Sequence, residues 1–177
     1  MKTKRKILWI VAISLFFAFI VAPKDALAAK PKQYKVVAAG VLSRSGLPSS
    51  SGFKTLKNLG VKSMVNLIPN SEAGGRGGAG AIGFRYLYLP ISGSFPPTTQ
   101  QVNKFLSFVR NSGNWPVHVF CKAGNARAGT MVALYRYSVQ GWTMQKAIKE
   151  ANRFGGGLSK KQTAWLNEWA RTHAAGR

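Results

Sequence analysis

Carboxylates are almost missing from this chain. Four of its 177 residues are Asp or Glu, against 26 Lys and Arg, for a formal net charge of +22. With two histidines and one cysteine beside them, these side chains are too few and too scattered to build a metal centre, so neither a metal nor another cofactor is expected. The lone cysteine, Cys121, excludes an internal disulfide and leaves two fates open, a small buried hydrophobe or a reactive thiol. The uncharged apolar run Ile7–Ala22 is 16 residues long, short of the roughly 20 that cross a bilayer as a helix. Basic residues are spread along the chain without forming a block, which argues against a disordered nucleic-acid tail, and no specific nucleic acid partner is expected. No internal repeat is visible.

What is present begins with a leader pattern. Lys2, Lys4, Arg5 and Lys6 precede the apolar run, and Ala26-Leu27-Ala28 follows it as a small-x-small site. Residues 1–28 therefore read as a signal peptide and 30–177 as one domain, exported and either periplasmic or secreted. The alternative is an uncleaved N-terminal anchor, the only route by which a membrane would enter. Five of the basic residues and one of the acidic ones precede Ala29, which leaves 21 against 3, a charge of roughly +18. Charge of this size draws polyanions: nucleic acid, anionic lipid or wall polymer, or multiply phosphorylated small molecules.

Along the domain, strand and helix patterns alternate. Tyr34–Ala38 reads as a strand and 40–52 as a turn-rich connection. A short helix capped by Ser50 or Ser51 carries Phe53, Leu56 and Leu59 inward and ends at Gly60. Val61–Leu67 is a compact strand, 69–83 a glycine-rich loop, and Phe84–Ile91 another strand. The loop's glycines lead into a strand, so a nucleotide-binding fingerprint is rejected. Thr98 or Thr99 opens a helix with Val102, Phe105, Leu106 and Val109 on one face. Val117–Phe120 is a buried strand, and helices are expected over 128–140, 143–152 and 159–172. The fold class is α/β, a single domain with a mostly parallel central sheet flanked by helices.

Cys121 sits where the strand at 117–120 turns into a helix. Unpaired N–H groups and the partial positive charge of a helix N-terminus suit an anion there and favour a thiolate. Arg127, six residues on, can fold back and hold two phosphate oxygens in a fork. Gly124 lets the backbone between them wrap with its N–H groups inward. These are the parts of covalent phosphoryl transfer through a cysteinyl-phosphate. The segment Cys121-Lys122-Ala123-Gly124-Asn125-Ala126-Arg127 resembles the C-x5-R loop of the cysteine-dependent protein tyrosine and dual-specificity phosphatases. Residues 40–67 resemble the opening segment of bacterial dual-specificity-like phosphatases, and 132–156 the helix pair after their loop. The resemblance implies a compact cysteine-phosphatase fold, Cys121 as nucleophile, Arg127 as phosphate clamp, and residues 122 to 127 as the cradle: Lys122, Ala123, Gly124, Asn125, Ala126 and Arg127.

Three positions depart from that family pattern. Phe120 replaces the histidine before the cysteine; His118, on the same strand face, either substitutes in part or is a buried histidine satisfied by backbone. Ala128 replaces the hydroxyl residue after the arginine, and Thr130 lies a turn away. The stretch 89–101, where an Asp general acid is usual, has no carboxylate. Glu150 and Glu168 read as solvated surface charges, which leaves Glu72, after the strand at 61–67, as the acid candidate. General-acid help is worth about 10²–10⁴-fold, so its loss slows such an enzyme without abolishing turnover. The charge suits inositol polyphosphate better than a phosphotyrosine peptide, and similar bacterial phosphatases act on phytate. Lys122, Arg44, Arg76, Arg85 and Lys160 are candidate rim residues for extra phosphates. The alternatives are a protein phosphatase for phosphotyrosine or phosphoserine, a pseudophosphatase that binds without turnover, and a polyanion-binding envelope protein with a vestigial loop.

Overall fold

The computed structural model describes residues 29–69 and 83–176. The expected leader, the acid candidate Glu72 and the rim candidate Arg76 lie outside them. The described residues form one five-stranded sheet: β1 (Lys35–Ala38), β2 (Leu42–Gly46), β3 (Ser63–Asn66), β4 (Arg85–Tyr88) and β5 (Val117–Cys121). Their spatial order is β1-β2-β5-β3-β4, with β1 antiparallel to β2 and the other pairings parallel. Among the described residues five α-helices accompany it: α1 (Ser50–Asn58), α2 (Thr99–Arg110), α3 (Ala126–Ser138), α4 (Met144–Ala151) and α5 (Lys160–Thr172).

The alternation of β5 assigns the faces of the sheet. Phe120 points to the α1 side and meets Phe53 edge-to-face at 6.0 Å, within a cluster of Leu56, Val61, Met64, Ile68 and Phe84. Val117, Val119 and Cys121 point to the other face, into the larger core made with α2, α3 and α5 through Phe105, Val109, Met131, Leu134 and Leu166. Leu59 caps α1 but stands in solvent rather than packing inward as its spacing suggested.

Helix α3 runs through the centre, and its residues from Arg127 to Ser138 are all buried. A helix buried on every side shows no amphipathic period, so its spacing gives no warning of this. Arg136, on this buried helix, is held by Glu150 through two bonds of 2.8 and 2.7 Å and stacks on Trp142 at 4.3 Å. Glu150 is thus one half of a partly buried bidentate ion pair, not the solvated charge expected. Glu168 does pair at the surface, with Arg171 at 3.1 Å.

The segment read as a turn-rich connection contains β2, and every residue of that strand is buried. Leu-Ser-Arg-Ser-Gly has poor strand propensity, but each polar side chain has a tertiary partner, described below, and tertiary pairing overrides the local preference. Strand β2 ends in register with β5, Gly46 beside Cys121, at the carboxyl end of the parallel strands, where open α/β sheets place their ligand sites.

Candidate functional site

The loop after β5 turns tightly against the end of β2. Gly124 has φ +78°, and a Cβ there would stand 2.4 Å from the Gly46 nitrogen. Three of the loop's carbonyls are engaged on its outer side: Lys122 O accepts from Leu47 N at 3.2 Å, and Gly124 O and Asn125 O accept from Arg44 Nη2, the latter at 3.1 Å. In a trans peptide the N–H points opposite to the carbonyl, so the N–H groups of Ala123, Asn125 and Ala126 are turned away from those donors. Asn125 then starts α3 without a side-chain cap, whereas Ser49, Thr98, Thr143 and Ser159 cap the other four helices. The first-turn N–H groups of α3 are left for a ligand, and the helix field favours an anion there.

These residues line a cleft of about 560 Å³. Cys121, Lys122, Ala123, Asn125, Ala126 and Arg127 form one wall; Gly93 and the segment 156–159 form the other. Of the six cradle residues only Gly124 is absent from the lining, because it is packed behind the loop. Arg127 is buried in the first turn of α3 and its Nη1 donates to Ile91 O at 3.1 Å, a contact that fixes the guanidinium beside the loop. The far wall is pinned as well: Ser159 Oγ donates to Ser94 O at 2.7 Å and Gln162 Nε2 to Phe95 O at 3.2 Å. That wall went unread in the sequence, although its signal was there, three glycines followed by the Ser159–Gln162 capping box that starts α5.

The rim candidates separate. Lys122 is exposed at the cleft as expected, and Lys160 is exposed one residue beyond its edge at Ser159. Arg85 begins β4 and bonds Gly113 O, at the amino end of the parallel strands and so far from Cys121. Arg44 is no rim residue: it is fully buried on β2, beneath the loop, because the Gly124 and Asn125 carbonyls and the Phe154 ring at 4.4 Å take its guanidinium inward.

Among the described residues no carboxylate lines the cleft. Ala128 is buried in the core, and Thr130 Oγ1 is committed to Ala126 O at 2.9 Å within its own helix. His118 is buried as one of the two readings held, but hydroxyls satisfy it rather than backbone. Its Nδ1 meets Ser43 Oγ and its Nε2 Ser45 Oγ, both at 2.8 Å. Ser45 in turn donates to Gly46 O at 2.6 Å, beside the loop.

Burial pushes His118 from 6.5 down to about 3. Above pH 6.5 neither folded nor unfolded chain holds this proton. Between pH 6.5 and about 3 only the unfolded chain takes it up, so stability falls as pH falls. The loss approaches about 1.4 kcal/mol per pH unit, or about 2 kcal/mol at pH 5 relative to pH 7. Urea unfolding at the two pH values should show it, and His118→Asn should flatten the dependence. An equally steep decline in the variant would assign the effect to other groups.

Comparison with known proteins agrees with this geometry. Residues 22–168 match the family described as "DSP-PTPase phosphatase fused to NAD+ Kinase". The dual specificity protein phosphatase TpbA of Pseudomonas aeruginosa is 32% identical over 116 residues, 66% of this chain and 52% of TpbA. The chain thus spans about half the length of that relative. Inositol diphosphatase DSP4 of Arabidopsis thaliana is 27% identical over 129 residues, 70% of this chain and 64% of that protein. The core catalytic domain of the PP-IP phosphatase SIW14 from S. cerevisiae superposes with a TM-score of 0.67 at 23% identity, covering 82% of this chain and 93% of that one. That likeness shows the cysteine-phosphatase fold, and the family match extends from before β1 into α5 with the Cys121–Arg127 loop inside it. The chain belongs to the DSP-PTPase family of dual-specificity phosphatases.

Proposed function

We propose that the protein is a phosphatase working through a cysteinyl-phosphate, that it acts on multiply phosphorylated small molecules such as inositol polyphosphates, and that it does so outside the cytoplasmic membrane. The observation that carries the reading is the uncapped start of α3 behind Cys121, with the loop carbonyls turned outward. The thiolate sulfur attacks phosphorus and forms the S–P bond as the P–O bond to the leaving group breaks. Arg127 and the loop N–H groups hold the three non-bridging oxygens as charge redistributes over them. Water then attacks the phospho-cysteine, the S–P bond breaks, phosphate leaves and the thiolate returns.

With no carboxylate in the described cleft, the leaving oxygen departs with little proton assistance. That favours substrates whose leaving group is stable as an anion, an aryl oxide or a second phosphate, over a serine or inositol alkoxide. A diphosphate group on a polyphosphorylated ring combines a good leaving group with the negative charge that a chain of formal charge +22 attracts. The inositol diphosphatase among the relatives is consistent with this preference. Ala128, in place of a hydroxyl residue, supports the second reading, a phosphate-binding protein with slow turnover.

The test is phosphate release by the full chain from an inositol diphosphate, inositol hexakisphosphate, a phosphotyrosine peptide and an aryl phosphate, each at low and physiological salt. The diphosphate is expected to lead in kcat/KM, with inositol substrates losing about tenfold between 0.01 and 0.15 M salt as screening grows. A phosphopeptide that leads at both salts would overturn the substrate assignment. Binding of all four without release would favour the second reading.

A further inference from the structure

Arg44 is a buried cation with no carboxylate bonded to it among the described residues. Its side chain lies on the Cys121 face of the sheet, since Arg44 pairs with Val119 two residues before the cysteine and Gly46 pairs with Cys121 itself. One guanidinium nitrogen, Nη2, serves both Gly124 O and Asn125 O, while Nε and Nη1 have no partner among the described residues. Leaving two donors dry is costly, and two carbonyls alone would be served as well by a neutral amide. The fold keeps a charge instead.

The charged groups around the thiol explain what the charge faces. Arg127 reaches the cleft from α3 and Lys122 from the loop, Arg44 approaches from β2, and the uncharged segment 91–95 closes the side between them. His118 lies on the opposite face of the sheet, within its two serine contacts. Glu150 on α4 is engaged by Arg136. Burial pulls Arg44 down from 12.5 to about 10, opposed by the charges of Cys121 and Glu150, so the guanidinium remains protonated at neutral pH.

We propose that Arg44 is a positioning residue: it ties the Gly124 and Asn125 carbonyls to the sheet so that the loop N–H groups face the cleft before substrate arrives. The inference rests on Cys121 being the nucleophile and on nothing about the substrate.

Because the chain has one cysteine, iodoacetamide reports on Cys121 alone. The alkylation rate of the full chain is followed by mass at pH 7 with increasing inorganic phosphate for wild type, Arg44→Lys and Arg44→Met, with thermal unfolding to verify the fold. For folded Arg44→Met the phosphate concentration that halves the rate is expected to rise by at least about tenfold, since the two loop carbonyls lose their donor. Arg44→Lys keeps a charge, but its ammonium ends one bond short of the place from which Nη2 serves both carbonyls. Protection of Cys121 by inorganic phosphate should therefore weaken about tenfold in Arg44→Lys. Undiminished protection in either folded variant overturns the proposal, and Arg44→Lys decides the matter if Arg44→Met does not fold. Neither measurement needs turnover, so a chain that cleaves none of the four substrates would defeat the proposed function and leave this test standing.

Discussion

Cys121→Ser is expected to abolish phosphate release while leaving anion binding nearly intact. Serine presents an alcohol that the helix field and two nearby guanidinium groups cannot ionise at neutral pH, so the first displacement has no nucleophile. Removal of a nucleophile that acts in concert with its surroundings costs roughly 10⁴–10⁶-fold in kcat. The cradle itself does not depend on sulfur. Its carbonyls are held by Arg44 and by Leu47 N, its guanidinium by Ile91 O, and its turn by Gly124 against Gly46. Phosphate or tungstate should therefore bind the variant within about threefold of wild type by calorimetry, since the hydrogen bonds to the oxyanion are unchanged. Turnover of an aryl phosphate above about 1% of wild type would mean that sulfur is not the attacking atom, because a displaced nucleophile leaves far less than that.

The sequence is most legible where local rules and tertiary context agree. Helices α2, α4 and α5 have apolar stripes and side-chain caps at Thr98, Thr143 and Ser159, and each begins within a residue of its expected place. Helix α3 begins at Ala126, two residues earlier than expected, because Asn125 makes no cap bond that a residue pattern could announce. The Cys121–Arg127 loop is legible as a turn between strand and helix because a cysteine, a glycine and an arginine stand at fixed spacing there. Strand β2 is not, because Ser43, Arg44 and Ser45 become strand residues only once His118 and the loop carbonyls are beside them. Arg44 was misplaced for the same reason: an arginine in a serine-rich stretch looks solvated until the Phe154 ring and two distant carbonyls are brought over it. The second wall of the cleft, Gly93 with 156–159, joins segments some 65 residues apart in sequence, as the Ser159–Ser94 bond shows, and no local pattern encodes such a meeting.

Gly124→Ala tests whether the loop is held by close approach or only by backbone freedom. At φ +78° an L side chain carries a strain of roughly 1–2 kcal/mol. The added Cβ would also stand 2.4 Å from Gly46 N and 2.8 Å from Ser45 C, both main-chain atoms. No rotamer change can relieve such contacts. Moving β2 away would stretch the Gly46 N to Lys32 O bond of 2.8 Å and loosen Ser45 from His118. Moving the loop away would pull the Gly124 and Asn125 carbonyls off Arg44 and turn the N–H groups out of line with the phosphate oxygens. Either path costs stability and catalysis together, about 3 kcal/mol or more and at least about 100-fold in kcat/KM. Gly93 supplies the control, since it lines the same cleft with φ +47° and a Cβ there would meet nothing within 4 Å. Gly93→Ala should therefore lose only the strain, about 1 kcal/mol, with activity reduced less than about fivefold. Equal losses in the two variants, read by thermal unfolding and aryl phosphate turnover, would show that φ alone demands the glycine. A loss confined to Gly124→Ala would show that the contact of loop and strand β2 sets the cradle's shape.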